Sequence, residues 1–201
     1  GSAEDGPLGA VYPAARRTGD RQSQHVAYSR DGGDTWVRYP GNPVLDLGTD
    51  DFRDPKVFRY VGAEGSWWVM VAVEARSRRV ILHRSDDLLN WTYLSRFGPS
   101  GSVEGFWECP DLFPLCLDED PTDTRWVMLI SVASGSAAGG SGTQYVIGDF
   151  DGATFTPDAP VPAISTPGPQ HAALDWLDRG RDCYAGVTYN GLPREQRMFL
   201  A

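Results

Sequence analysis

The sequence is poor in the residues that build metal sites and nucleophilic triads. Histidine occurs three times in 201 residues, at His25, His83 and His171, and the wide spacing gives no support to a His-based metal site or a Ser-His-Asp triad. Cysteine also occurs three times, at Cys109, Cys116 and Cys183. That odd count, with no C-x-x-C, argues against a disulfide framework or a zinc site. No cofactor and no metal is therefore expected. Lys and Arg number 18 against 27 Asp and Glu, a net charge of −9. No run of basic residues is present of the kind that a phosphate backbone needs, so nucleic acid is not an expected partner. No apolar run approaches the roughly 18 residues of a membrane span, and no membrane partner is expected. Helical periodicity is nearly absent. No basic, apolar leader opens these residues, and the start "GSAEDG" is compatible with a cut made upstream. A secreted, extracellular protein is the expectation, with a cytoplasmic one as the alternative.

What the chain does have is short β-rich runs: "VFRYV", "SWWVMVAVEA", "RVILHRS", "RWVMLISVA", "TQYVIGDF" and "RDCYAGVTY". Turn chemistry separates them, as in "DGGD", "GNP", "VGAEG", "GPSGS" and "DFDGA". Many short strands so punctuated predict an all-β sandwich, barrel or propeller. A repeat favours the propeller. "FRDPKVF" (52–58) and "WECPDLF" (107–113) share one shape at an offset of 55 residues, and Trp36 and Trp91 lie at the same offset. "GDFDGATF" (148–155) is a looser third copy. A period near 50 with about four strands per unit is the signature of propeller blades. The expected blades are 8–47, 51–97 and 108–160, with 171–201 starting another. About three and a half blades cannot close a ring, and open blade edges invite aggregation. The chain is thus expected to be part of a catalytic propeller, completed by a further segment of a parent chain or by a partner. The glycine-rich stretch 134–143 is expected to be a mobile surface loop. "AYSRDGGDTW" resembles the Asp-box turn of other propellers, and Asp31, Gly32 and Gly33 read as turn chemistry.

In a propeller the first strand of each blade lines the axis, and the starts of those strands converge at one mouth. Arg53, Asp54 and Glu108 occupy such starts. An isolated Asp-Pro or Glu is usually a turn or surface feature, but here two carboxylates and a guanidinium meet at one place. A carboxylate pair in unlike environments is the equipment of glycoside hydrolysis. Glu108 follows Phe106 and Trp107, and apolar neighbours raise a carboxyl pKa, so it is the better proton donor. Asp54 stands beside Arg53 and Lys56, which favour its ionised form, suited to holding vicinal sugar hydroxyls. Trp107 is a candidate substrate contact, with burial under a neighbouring blade as the alternative. Tyr189 and Asn190 end an inward-facing run and are candidate substrate contacts as well.

"FRDPKVF" and "ECPDLF" resemble two signature motifs of glycoside hydrolase family 32, the invertase, inulinase and levanase group. "QSQHVAYSRDGGDTWVRYPGNPVL" resembles the segment before that family's Arg-Asp-Pro motif. "LDRGRDCYAGVTYNGLP" resembles its later Asp-Phe-Tyr-Ala segment, with Cys183 where Phe is usual. The similarity runs from about Val11 to Phe199. It implies a five-bladed catalytic propeller followed by a β-sandwich, and retaining hydrolysis of β-fructosides of the sucrose, inulin or levan type. It implies Glu108 as acid/base, Asp54 as transition-state stabiliser and Arg53 as a substrate contact that orients the acid/base. The expected partner is a fructose-containing oligo- or polysaccharide. The family's nucleophile is an Asp in a Trp-x-Asn-Asp-Pro-Asn type motif; no such motif occurs in these residues, and neither Asp5 nor Asp20 has its surroundings. The 201 residues alone are accordingly expected to be inactive. Two alternatives stay open: a non-catalytic carbohydrate-binding propeller and a fructosyltransferase on the same scaffold.

Overall fold

The structure, a computed structural model, describes residues 6–15, 21–118, 120–166 and 169–201. Asp5 and Asp20 lie outside the described residues. Three antiparallel sheets follow one another along the chain. The first holds β1 (Leu8–Ala15), β2 (Gln22–Ser29) and β3 (Val37–Arg38). The second holds β4 (Phe52–Gly62), β5 (Gly65–Glu74), β6 (Arg79–Ser85) and β7 (Thr92–Phe97) in that spatial order. After the short β8 (Gly101–Ser102), the third holds β9 (Trp107–Leu117), β10 (Asp120–Val132), β11 (Gly142–Phe150) and β12 (Phe155–Pro157). A parallel bridge ties β13 (Ala163–Ile164) back to β8, a four-residue helix α1 (Pro169–Ala172) follows, and β14 (Val187–Thr188) pairs with β15 (Phe199–Leu200).

Side-chain alternation along the second sheet explains how the sheets stack. Strand β5 reads "GSWWVMVAVE", apolar nearly throughout, as a strand covered on both faces must be. Trp67, Val69, Val71 and Val73 point one way, into a cluster with Phe97, Trp107, Leu112, Met128, Ile130 and Phe150 that cements the second and third sheets. Ala72 points the other way, with Phe52, Ile81 and Leu45, toward the first sheet. A period of two thus assigns alternate residues of one strand to two neighbours. Strands β1, β4, β9 and β14 touch in succession, β1 with β4, β4 with β9, and β9 with β14. Each of the first three opens its sheet, so inner strands line a common axis, as in a propeller.

The turns before the last strand of the first two sheets repeat as well. Ser29 Oγ donates to Asp31 Oδ1 (2.7 Å), the Thr35 amide donates to the same oxygen (2.9 Å), and Trp36 Nε1 donates to Gly33 O (3.0 Å). Ser85, Asp87, Asn90 and Trp91 reproduce the arrangement between β6 and β7, with Trp91 Nε1 donating to Leu88 O at 3.0 Å. The second copy is one residue shorter, and Leu88 takes the left-handed backbone (φ 67°) that Gly32 holds in the first. The stretch 134–143 is held at several points: Ser141 Oγ donates to Asp182 Oδ1 (3.0 Å), Thr143 Oγ1 to Cys183 O (2.9 Å), and the Leu177 amide to Thr143 O (2.9 Å). Composition alone suggested a free loop; pairing with 177–183 makes it a wall instead.

Candidate active site

The mouth of the axis is shaped by two matching β-bulges. On β4, Arg53 pairs with Val73 and Lys56 with Val71, so Asp54 and Pro55 face a single residue of β5. On β9, Glu108 pairs with Ser131 and Asp111 with Leu129, so Cys109 and Pro110 face a single residue of β10. A proline that cannot donate to the ladder is accommodated at such a bulge, and an extra residue there re-aims its neighbours. Asp54 (φ 55°) and Cys109 (φ 46°) both sit in the left-handed region. For a non-glycine residue this costs on the order of 1 kcal/mol or more and marks a backbone held in place by its surroundings.

The two bulges meet residue for residue. Arg53 Nη2 and Nε both donate to Glu108 Oε1, at 2.9 and 3.2 Å. The Cys109 amide donates to Asp54 Oδ2 at 3.0 Å. Lys56 Nζ lies 3.2 Å from Asp111 Oδ2. Each pair is separated by the same 55 residues that separate the motifs. Arg53 and Glu108 side chains remain about a quarter exposed, at 20% and 26%, so the pair faces the open mouth. Arg53 Nη1 also reaches Gln22 Oε1 at 3.4 Å, which brings the first sheet to the site.

Several expected placements are corrected. Trp107 is no sugar contact: it is fully buried, packs in the core between the second and third sheets, and donates its Nε1–H to Ser102 O (2.8 Å). Strand alternation sends it to the face opposite its neighbours, so it does not flank the Glu108 carboxylate either. The exposed aromatic at this position is Phe106, 45% exposed. The cations expected beside Asp54 reach across to β9, Arg53 to Glu108 and Lys56 to Asp111. Asp54 is instead held by the Cys109 amide. Tyr189 is half-exposed just past β14, its amide donating to Met198 O. Asn190 Nδ2 donates to Val57 O at 2.8 Å, so that side chain is committed to the inner strand β4.

The site includes groups that motif reading did not single out. The Cys109 thiol is pushed up to about 12 by burial, then by the negative charges of Asp54 and Glu108. It stays protonated at neutral pH and is no nucleophile. Ser131, opposite Glu108 in the ladder, accepts a hydrogen bond from the Ala185 amide (3.1 Å) and so ties the segment after Cys183 to the strand that pairs with Glu108. A cavity of about 560 Å³ between the first two sheets is lined by Leu8, Val26, Pro55, Val57 and Trp68. Pro55, next to Asp54, lines it, but neither Asp54 nor Glu108 does. Among the described residues no cluster of three or more His, Cys, Asp or Glu is placed to hold a metal ion.

Stacked antiparallel sheets whose first strands converge on a mouth of charged groups define a β-propeller. The chain belongs to glycoside hydrolase family 32: the model of the family's N-terminal domain matches residues 3–201. It is 43% identical to the levanase of Bacillus subtilis over 198 residues, which is 96% of this chain and 27% of the levanase. The crystal structure of exo-inulinase from Aspergillus awamori superposes with a TM-score of 0.85 at 36% identity, covering 99% of this chain and 41% of that one. The fructofuranosidase of Schwanniomyces occidentalis complexed with fructose superposes at 0.79 with 34% identity, covering 92% of this chain and 33% of that one. The fold of these relatives is the five-bladed propeller. This chain spans between about a quarter and two fifths of their length.

Proposed function

We propose that the protein to which these residues belong is a secreted, retaining hydrolase of β-fructosides such as sucrose, inulin or levan. The observation that carries this is the coupling of two motifs at one mouth: the Arg53 guanidinium on Glu108 Oε1, and Asp54 on the amide that follows Glu108. The names of relatives point the same way, levanase and extracellular exo-inulinase among them. Glu108 is the acid/base, donating a proton to the glycosidic oxygen and later taking one from water. Arg53 holds the free end of that carboxyl group and leaves Oε2 available to the leaving oxygen. Asp54 binds hydroxyls of the fructosyl ring through charge-assisted hydrogen bonds that strengthen in the transition state. Tyr189 stands at the rim as a substrate contact. The nucleophile is a carboxylate supplied from outside residues 1–201, at the roughly 5 Å separation from the acid that a retaining mechanism requires.

The test is fructose release by the full-length protein from sucrose, inulin and levan, with arabinan and xylan as controls. Free fructose from at least one fructan or from sucrose, and none of the pentose sugars from the controls, is expected. Binding of fructans without release would favour a carbohydrate-binding propeller. Longer fructosides formed from sucrose in place of fructose would favour a transferase.

A further inference from the structure

The chain carries 17 arginines but a single lysine, Lys56. That lysine makes a charged contact across the two bulged strands, next in line after the contacts of Arg53 and Asp54. Its Nζ is 3.2 Å from Asp111 Oδ2, and it also donates to the backbone carbonyl of Thr188. The Thr188 amide and hydroxyl both donate to Asp111 Oδ2, each at 2.8 Å. Asp111 has no exposed surface, and its other oxygen, Oδ1, has no hydrogen-bond partner among the described residues. A buried ion pair with one oxygen unsatisfied is not a favourable way to hold strands together, since apolar residues of similar size do that at least as well. Its worth lies in geometry.

Strands β4 and β9 belong to different sheets, so no ladder sets their relative height. Three side-chain contacts do: Arg53 with Glu108, Asp54 with the Cys109 amide, and Lys56 with Asp111. The first two stand at the mouth, where the proposed function has Glu108 and Asp54 engage the sugar. Lys56 and Asp111 each sit at the first paired position after a bulge, Lys56 partly buried and Asp111 fully so. Through Thr188 they also fix β14, the fourth strand of the inner succession, whose next residue is Tyr189. We infer that Lys56 and Asp111 are positioning residues that set the height of the Glu108 bulge against the Arg53–Asp54 bulge while substrate occupies the mouth. The inference rests on the proposed fructosidase function.

The test uses the full-length protein and two substrates that differ in their need for an acid. Sucrose has a sugar alkoxide leaving group that must be protonated; β-fructofuranosyl fluoride has a leaving group that needs little help. Three proteins are compared with wild type: Asp111→Asn, Lys56→Arg, and the apolar double variant Lys56→Met with Asp111→Leu. The double variant keeps the volume without the charges and guards against loss of fold. If the pair positions the acid, the double variant keeps its melting temperature within a few degrees while its kcat/KM ratio, sucrose over fluoride, falls by ~10-fold or more, inside the ~10²-fold that a 1 Å misplacement costs. Asp111→Asn lowers the same ratio, and Lys56→Arg, which keeps the charge, retains most of the wild-type ratio. A wild-type ratio in the folded double variant, or an equal loss on both substrates, overturns the positioning role while leaving the fructosidase reading intact. A wild-type protein that turns over neither substrate overturns that reading and this inference with it.

Discussion

A carboxyl group can donate a proton only where something holds it at the glycosidic oxygen. In the proposed role of Glu108 as acid/base that is Arg53, whose Nε–H and Nη2–H both close on Oε1. Asp54 is held differently, by a backbone amide, which supplies a hydrogen bond with no mobile charge. An Asp54→Asn variant keeps the shape but exchanges an ionised acceptor for a neutral amide. Fructoside kcat should fall together with affinity, by ~10²-fold or more in kcat/KM, because part of that hydrogen bonding is realised only in the transition state. A variant whose KM alone rises would show that Asp54 binds ground and transition states alike. The positions of Arg53, Asp54 and Glu108 were legible in the sequence, because a 55-residue spacing of two Pro-containing motifs can place them at one mouth. Their partners were not. Which cation meets which carboxylate depends on the one-residue bulges, and a bulge swings successive side chains in ways a flat pattern does not foretell. Of the two placements open for Trp107, burial is the observed one, because one step along a strand separates the site from the core.

At the scale of elements, the sheets were legible from alternation and turn residues, and the Asp-box turns from the recurrence of Ser, Asp and Trp. Asp31 and Asp87 are each held far below the usual carboxylate range by hydrogen bonds, from Thr35 in one turn and Asn90 in the other. A depressed folded pKa means that the stabilisation is complete above the unfolded value of about 4, and is lost as pH falls toward the folded value. Asp87→Ala should destabilise the protein at pH 7 by about 1 kcal/mol, the net worth of a typical hydrogen bond. The gap between the melting temperatures of wild type and variant should narrow below pH 4. A gap that stays constant from pH 7 to pH 3 would separate the turn from the carboxylate charge. The stretch 134–143 shows where reading by composition stops. Its glycines and serines signal no element, but they permit close approach to 177–183, and the contacts come from a segment more than 30 residues away.

For the molecule as a whole, stability in mild acid rests on a residue with no part in the chemistry. His83 is 2% exposed, lies between Phe52 and Tyr93, and has its pKa lowered to about 4 by burial. The unfolded chain takes up the proton first, near the ordinary value of 6.5. Stability should therefore decline as pH falls from about 6.5 to about 4 and level off below. At ~1.4 kcal/mol per unit of pKa difference this amounts to roughly 3–4 kcal/mol. Denaturant unfolding of wild type and His83→Gln at pH 7 and pH 4.5 checks it, the variant being expected to lose markedly less on acidification. The central claim is the role of Glu108, and the most direct measurement is the turnover of sucrose and inulin by a full-length Glu108→Gln variant, with substrate binding followed by calorimetry. Glutamine keeps the size and the Arg53 contact region but carries no proton to give at neutral pH. A fall in kcat of at least ~10²-fold with binding largely retained is the expected result; turnover near that of the wild type would contradict it.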